Sequence, residues 1–211
     1  MNFYKELHTL FNGCNRFHFP FNHQIHQMPD NGIYILFEKG EAYEEFDCIV
    51  RVGTHTGSNQ LKSRLNQHFV KENKNRSIFR KNIGRCFLNK DSHPYIDLWE
   101  LDITSKIEKE KNLKLLDLDF EKEMEKRITS YIRDNFSFCV FQVILREDRF
   151  FWESKILSTI AKFSGEGPSE SWLGNHSPKN KIRQSGLWQV NELFNEPLES
   201  HELEKLIKLI F

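Results

Sequence analysis

The chain has 211 residues, 38% of them hydrophobic and including 19 Phe and 4 Trp, which excludes a disordered protein because this much apolar surface can build a core. The sequence has no apolar run of the roughly 18 to 20 residues that a membrane span needs, and charges interrupt the apolar pattern of MNFYKELHTLFNG, unlike a signal peptide. Four scattered cysteines without a CxxC pair predict reduced thiols, so we expect a soluble cytoplasmic protein.

In chain order, the residue patterns predict a small mixed set of helices and strands. A short amphipathic segment and a polar loop occupy residues 1–30, and strands rich in β-branched and aromatic residues follow at 32–37 and 46–52. Later segments follow the helical or the strand pattern: helices at 61–72 and 77–88, a strand at 94–103, a surface turn or insertion at 106–114, a helix at 119–133, a strand at 137–145, and helices at 148–163 (with Asp148 as its N-cap) and 201–211.

The net charge of zero conceals a basic segment. Between Arg51 and Lys90 the chain carries ten basic residues and one acidic residue, Glu72. Such a local positive field would attract a polyanion such as nucleic acid. A solvated pair of basic helices without any partner explains the pattern equally well. If the partner is DNA, we expect its contacts to include His55, Lys62, Lys71, Lys74, Arg76, Arg80 and Lys81.

Glu153 is an unusual residue within the predicted helix 148–163. It precedes Ile156, Leu157 and Ile160 by three, four and seven residues, so it lies on their apolar face. A carboxylate there needs a partner, because burial of an unpaired charge is very unfavourable. That partner is either an arginine, with help from the helix dipole, or a hard divalent cation, which prefers oxygen ligands and often takes a single protein carboxylate.

Arg64 and His68 lie one helical turn apart on the predicted helix 61–72. An arginine at this place can hold a phosphate, and a histidine can donate to a phosphate oxygen or move a proton near neutral pH. The alternative interpretation is a surface arginine beside a histidine at the edge of the core.

Several weak motifs follow one another in an order that is more specific than any one of them. They are Gly32-Ile33-Tyr34 in the first strand, Gly53 at the end of the second, Arg64 and His68 on the next helix, Glu153 on a later helix, and Asn175 in a polar loop. This order resembles the GIY-YIG nuclease superfamily over residues 31–175, most strongly over 31–68. The phrase SWLGNHSPKNKIRQSGLWQVN is similar to the C-terminal signature of uncharacterised bacterial members, which favours Asn175 over Asn180 or Asn191 as the last family position.

The resemblance implies an α/β (α+β) fold with a small central antiparallel sheet of about three strands flanked by helices. Helix and loop residues 1–30 would precede a nuclease core at 31–175 with an insertion around 76–135, and 176–211 would form a C-terminal extension. We expect all of these parts to form one compact domain. The implied activity is cleavage of DNA phosphodiesters with one Mg²⁺ or Mn²⁺. We expect DNA as the partner, no membrane, and a monomer or homodimer.

The resemblance also implies roles for individual residues. Glu153 would anchor the metal, and Tyr34 would position or deprotonate the attacking water. Arg64 would stabilise the pentacovalent oxygens, His68 would assist proton transfer, and Asn175 would orient the site.

The sequence departs from the family at the second motif. Arg51-Val52-Gly53 stands where the family has Tyr-Ile-Gly, so a permanent cation replaces a phenol. Arg51 would lie beside Tyr34 at the floor of the phosphate site, where it either lowers the pKa of Tyr34 and contacts phosphate or impairs the site. We favour the first, because the glutamate, the arginine and the histidine are present. The long spacing between the two strand motifs predicts a longer hairpin loop at EKGEAYEEFD.

Three functions therefore remain open. The favoured one is a metal-dependent DNA endonuclease, for which we consider a sequence-specific, restriction-like role. The second is a nucleic-acid-binding module whose catalysis was lost with the tyrosine at position 51, and the third is a structural or interaction domain. Salt-dependent DNA binding separates the third from the others, and metal-dependent cleavage separates the first from the second.

Overall fold

The computed structural model describes residues 2–163 and 167–211, and within them nine α-helices surround one open four-stranded antiparallel sheet. The strands are β1 (Phe17–His18), β2 (Gly32–Tyr43), β3 (Phe46–Gly53) and β4 (Phe136–Gln142). The helices are α1 (Phe3–Asn12), α2 (Leu61–Phe69), α3 (Ile78–Lys90), α4 (Ile96–Trp99), α5 (Lys106–Asn112), α6 (Leu118–Asn135), α7 (Arg146–Ala161), α8 (Asn180–Ser185) and α9 (Ser200–Ile210). The predicted α/β fold with an antiparallel sheet is confirmed, with four strands in place of about three. Over residues 2–163 and 167–211, none of the helices has the length and apolar character that crossing a membrane requires.

Strand β2 runs through the middle of the sheet, whose order is β1-β4-β2-β3. Ile33 and Ile35 face a core built with α1, α7 and α9, whereas Tyr34 and Leu36 face a second core built with α2, α3 and α6. Because helices cover both faces, the start of β2 is buried residue after residue. This explains why the sequence there is a continuous apolar run.

The β2–β3 hairpin is longer than predicted and its turn is shorter. Pairing continues to Tyr43 opposite Phe46, with register irregularities on either side of Phe37. Glu44 in the turn has a positive φ of 51°. The predicted long loop at EKGEAYEEFD is therefore wrong, because most of that segment extends the two strands.

The predicted strand at 94–103 is also wrong. Its centre is the short helix α4, and Trp99 packs its indole against Gly84 of α3, where a Cβ would lie 2.4 Å from the ring. The indole nitrogen donates to the Lys81 carbonyl at 3.1 Å. The apolar residues of this segment therefore cover α3 and do not join the sheet.

Two further predictions need correction: the surface turn or insertion at 106–114 and the N-cap at Asp148. Residues expected to form a surface turn or insertion at 106–114 include α5, which Ser105 caps by accepting from the Glu108 main-chain N–H at 3.1 Å. Helix α7 begins at Arg146 with Leu145 at its N-cap, so Asp148 lies within the first turn and is not the cap. A carboxylate in the first turn is still favoured by the helix dipole.

Residues 186–198, which we call the C-terminal strap, run along β3. Strand β3 lies at the edge of the sheet and would otherwise leave main-chain groups unpaired. The Trp188 N–H donates to the Val50 carbonyl at 2.8 Å, and the Val52 N–H donates to the Gln189 side chain at 2.9 Å. The strap thereby brings residues 188–192 next to Arg51.

Candidate active site

Tyr34 and Arg51 lie on the same face of the β2–β3 pair, but they are diagonal neighbours. Gly53 is directly opposite Tyr34, and Arg51 is opposite Leu36. The Tyr34 ring lies across Gly53 so closely that a Cβ at position 53 would come within 2.2 Å of the phenol oxygen. The glycine of the second motif therefore makes room for the tyrosine of the first.

A buried chain of hydrogen bonds begins at Tyr34. Its Oη lies 2.9 Å from Nε2 of His68, and Nδ1 of His68 lies 2.7 Å from Oγ of Ser77, the N-cap of α3. Tyr34 and His68 are fully buried. A neutral imidazole donates from one nitrogen and accepts at the other, so one of the two hydroxyls donates to His68 and the other accepts from it.

His68 is held in the neutral form by its surroundings. Burial lowers its pKa well below the usual value, and the nearby cations Arg64, Arg51 and Arg80 lower the pKa further. His68 therefore stays uncharged at neutral pH, and one of its two ring nitrogens remains a hydrogen-bond acceptor.

Arg51 is a buried cation with an unused donor. Only 5% of its surface is exposed, and its Nη1 donates to the Trp188 carbonyl at 2.5 Å. Its Nε is buried and has no hydrogen-bond partner among residues 2–163 and 167–211. An unsatisfied buried donor is unfavourable, so a ligand acceptor that reached this group would be bound favourably.

Glu153 is half-buried and is also unpaired. In the part of the chain that the structure describes, it makes no ion pair within 4 Å. Burial raises the pKa of Glu153 to about 7, Arg51 and Arg64 act in the opposite direction, and Glu192 raises the pKa further. A direct salt bridge is thus not the reason for a carboxylate on the apolar face.

Two adjoining cavities, which together we call the cleft, meet at Glu153 and Phe150. The first, of about 380 Å³, is lined by residues that include Thr54, Gln60 and Arg64. The second, of about 320 Å³, is lined by residues that include Arg51, Asn191 and Glu192. Glu153 therefore stands between a cavity that contains Arg64 and a cavity that contains Arg51.

Arg64 is oriented by its own helix and by the segment before α3. Its Nη1 donates to Oε1 of Gln67 and to the Arg76 carbonyl, both at 2.9 Å. Because one nitrogen makes both bonds, the remaining guanidinium donors can serve a phosphate in the first cavity.

Asn175 lies outside the cleft lining that the described residues form. Its amide donates to the carbonyls of Ser169 at 2.8 Å and Glu170 at 3.2 Å, so it stabilises its own loop. Two other asparagines of the described residues line the cleft: Asn82 of α3, and Asn191, which the strap places there through the Gln189–Val52 bond. No local signal in the sequence places Asn191 in the cleft, because only the path of the strap distinguishes it from Asn175.

The donor set of the cleft suits a hard divalent cation held by few protein ligands. Glu153 supplies an unpaired carboxylate, and Glu192 and Asn191 add oxygen atoms to the same cavity. Mg²⁺ typically binds one or two carboxylates and completes its shell with water and phosphate. Among the described residues no group of three or more His, Cys, Asp or Glu could hold a metal, so a site closed by such ligands is not formed there.

In the segment 74–81, three of the predicted DNA contacts are held in ion pairs within the protein. Lys74 and Arg80 are buried, and Lys81 is half-buried. Lys74 pairs with Glu121 at 2.6 Å, Arg80 with Glu125 at 2.5 Å, and Lys81 with Glu100 at 3.6 Å. Burial of Lys74 and Arg80 and their pairing with acidic residues of α6 speak against direct contact of these two side chains with DNA.

The remaining predicted contacts differ in exposure. His55 is buried, with Nδ1 2.7 Å from the Gly57 carbonyl and Nε2 accepting from the Gly32 N–H at 3.3 Å, so it mainly shapes the loop beside the first cavity. Lys62 pairs with Asp30 at 2.8 Å. Lys71 and Arg76 are exposed. The basic surface near Arg64 is therefore smaller than the sequence suggested.

Comparisons with known proteins identify the family of the chain. The family model of the GIY-YIG domain matches residues 1–211. Searches of curated proteins and of solved structures gave no match. The family match includes residues 1–30 and 176–211, which the resemblance had placed outside the nuclease core. This chain belongs to the GIY-YIG domain family and so to the GIY-YIG nuclease superfamily, which implies a nuclease-type function.

Proposed function

We propose that this protein is an endonuclease that cleaves DNA with one Mg²⁺ or Mn²⁺ bound at Glu153. The observation that carries the proposal is the unpaired, half-buried carboxylate of Glu153 between two arginines in the cleft. Bound there, the cation would neutralise charge that develops on the phosphate and on the leaving oxygen. A domain that only binds its partner has no evident need for such a desolvated carboxylate.

The two arginines bind the phosphate from opposite sides of Glu153. Arg64 supplies the donors that Gln67 and the Arg76 carbonyl leave free. Arg51 supplies its unpaired Nε while Trp188 holds Nη1. Donors that are fixed before substrate arrives stabilise the transition state without reorganisation. Arg51 thus serves catalysis in place of the family tyrosine.

Tyr34 and His68 position the attacking water. The hydrogen bond to neutral His68 fixes the orientation of the phenol, whose oxygen can then hydrogen-bond the water. Both side chains are fully buried and neither lines the cleft that the described residues form, so water reaches the phenol only when the residues that cover Tyr34 shift. Asn191 helps to orient the substrate at the other end of the cleft.

We further infer a stand-alone role, such as sequence-specific restriction. Segments 76–135 and 176–211 supply helices and the strap that pack around the nuclease site, and these elements offer surface for reading DNA. The competing candidate is a binding module without catalysis, which the replacement of the family tyrosine by Arg51 favours.

Cleavage of supercoiled and linear plasmid separates the two candidates. Wild type is compared with Glu153→Gln and, as matched control, with Glu147→Gln, an exposed carboxylate in the first turn of the same helix. We expect cleavage with Mg²⁺ or Mn²⁺, none with EDTA, loss in Glu153→Gln, and wild-type rates in Glu147→Gln. Discrete fragments would support sequence specificity. Salt-sensitive binding without cleavage at any metal concentration would replace the nuclease proposal with the binding module.

A further inference from the structure

Behind Arg51 lies a buried carboxylate that the proposed chemistry does not use. Glu38 of β2 is 3% exposed. One of its oxygens, Oε2, accepts from the indole nitrogens of Trp172 and Trp188, both at 2.7 Å. The other oxygen accepts from the Tyr131 hydroxyl. Three donors thus surround Glu38, and no cation lies within 4 Å among the residues that the structure describes.

Trp188 connects this carboxylate to the cleft. Its indole is held by Glu38, and its main-chain N–H donates to the Val50 carbonyl at 2.8 Å. Its own carbonyl accepts from Nη1 of Arg51 at 2.5 Å. The position of the guanidinium therefore depends on how firmly Trp188 is held.

Trp172 offers an internal comparison. It donates to the same oxygen of Glu38 at the same distance. Its main chain, however, bonds within its own loop, to the Ser169 carbonyl and from the Asn175 N–H, both at 3.1 Å. Trp172 shares the buried network but not the link to Arg51.

Burial of a carboxylate without a cation is unfavourable even when it accepts several hydrogen bonds. Two tryptophans that needed only to pack together could do so without it. Glu38 fixes the orientation of both indoles, since a fully satisfied buried network restricts its members to one arrangement.

We propose that Glu38 is a positioning residue for Arg51: it fixes the Trp188 indole, so that the Trp188 carbonyl holds the guanidinium and leaves Nε free beside the cleft. The role in catalysis rests on the proposed function, because it assumes that Arg51 binds the substrate phosphate. The positioning itself is a property of the free protein and can be measured without cleavage.

The test compares Trp188→Phe with Trp172→Phe. Each removes one indole N–H from the same oxygen of Glu38 and keeps an aromatic ring, and thermal melting checks that each variant folds. We expect Trp188→Phe to lower kcat for plasmid cleavage by about tenfold, the size expected for a weakened hydrogen bond to a charged group, with KM changed less. Trp172→Phe should stay within about twofold of wild type.

A second readout does not require activity. The ¹⁵N–¹H signal of the Arg51 Nε–H, assigned by its loss in Arg51→Lys, should shift in Trp188→Phe and stay in place in Trp172→Phe. In an Arg51→Lys background, Trp188→Phe should lower kcat no further, whereas a purely structural effect would persist. If Trp188→Phe does not fold, Glu38→Gln replaces it in these measurements.

The outcomes are distinguishable. Equal kcat in the two tryptophan variants with an unmoved Arg51 signal would overturn the positioning role. A shift of the Arg51 signal confined to Trp188→Phe in a protein that does not cleave DNA would support positioning and refute the endonuclease proposal.

Discussion

The phenol of Tyr34 occupies the space where residue 53 would carry a side chain: a Cβ on Gly53 would lie 2.2 Å from Oη and 2.4 Å from Cζ. We predict that Gly53→Ala displaces the ring and breaks the Tyr34–His68 hydrogen bond. Overpacking of this kind costs about 1 to 3 kcal/mol, so the free energy of unfolding in urea should fall by this amount. DNA cleavage should fall with it.

Gly13→Ala is the matched control for this substitution. A Cβ at Gly13 meets no atom closer than 3.4 Å, and its φ of −75° suits any residue. Wild-type stability and cleavage are expected for this control. If Gly53→Ala behaved in the same way, Tyr34 would have another position available and its contact with Gly53 would not matter.

Tyr34→Phe tests the hydrogen bond between Tyr34 and His68 without changing the packing of the ring. It removes the hydroxyl and leaves Nε2 of buried His68 without that partner, which should cost about 1 to 3 kcal/mol of stability. If the Tyr34 hydroxyl positions the attacking water, kcat should fall by about 100-fold or more. Urea unfolding and plasmid cleavage at saturating metal measure the two effects.

Tyr95→Phe is the matched control for Tyr34→Phe. The Tyr95 hydroxyl accepts from the Asp117 N–H at 3.0 Å, so its loss should also reduce stability. Among the described residues neither Tyr34 nor Tyr95 lines the cleft, but the Tyr95 hydroxyl bonds Asp117 and not His68, so cleavage should be retained. Equal losses of cleavage in both variants would mean that Tyr34 acts only through stability.

Periodicity was sufficient to predict the elements that build the site. The apolar run at 32–37, the strand at 137–145, and the helices carrying Arg64 and Glu153 all form close to their expected places. These predictions hold because each element's own pattern of buried residues decides its conformation. The position of Glu153 on the apolar face of its helix likewise indicated that its carboxylate is partly buried.

Long-range contacts decide what the sequence could not predict. The charge of the segment 51–90 suggested a basic surface, but Arg80 is neutralised by Glu125, 45 residues later in the chain. Trp99 lies in an apolar run that resembles a strand, and only its contact with Gly84 shows that the run covers a helix. Asn191 reaches the cleft because the strap follows β3, and no local pattern encodes that path.

The basic residues should therefore separate into two functional groups. Lys71→Gln and Arg76→Gln alter exposed cations, so we expect unchanged stability and weaker DNA binding. For each lost phosphate contact, the slope of log affinity against log salt should decrease by about 0.9. Arg80→Gln leaves Glu125 buried without its partner, which should cost about 3 to 5 kcal/mol. DNA binding titrations at several salt concentrations and urea unfolding distinguish the groups. An unchanged salt slope in both surface variants would place the DNA elsewhere.

The last prediction concerns the pH dependence of stability. Burial raises the pKa of Glu38 to about 7, although the hydrogen bonds from Tyr131, Trp188 and Trp172 oppose the shift. In the unfolded chain this carboxyl has its ordinary pKa near 4.5. Between these values the folded state binds an extra proton, so the free energy of unfolding falls as pH rises through this interval.

Glu38→Gln should remove this contribution, because the amide does not titrate. The stability of the wild type relative to Glu38→Gln should decline from pH 5 to pH 8 by up to about 3 kcal/mol, the value of the pKa shift in free energy. Glu153 has a pKa raised in the same direction, to about 7, so Glu153→Gln serves as the comparison and should remove a separate part of the slope. Urea unfolding across this pH range measures all three proteins. A Glu38→Gln variant that retains the full wild-type slope would show that Glu38 stays ionised throughout and that its three donors compensate for burial.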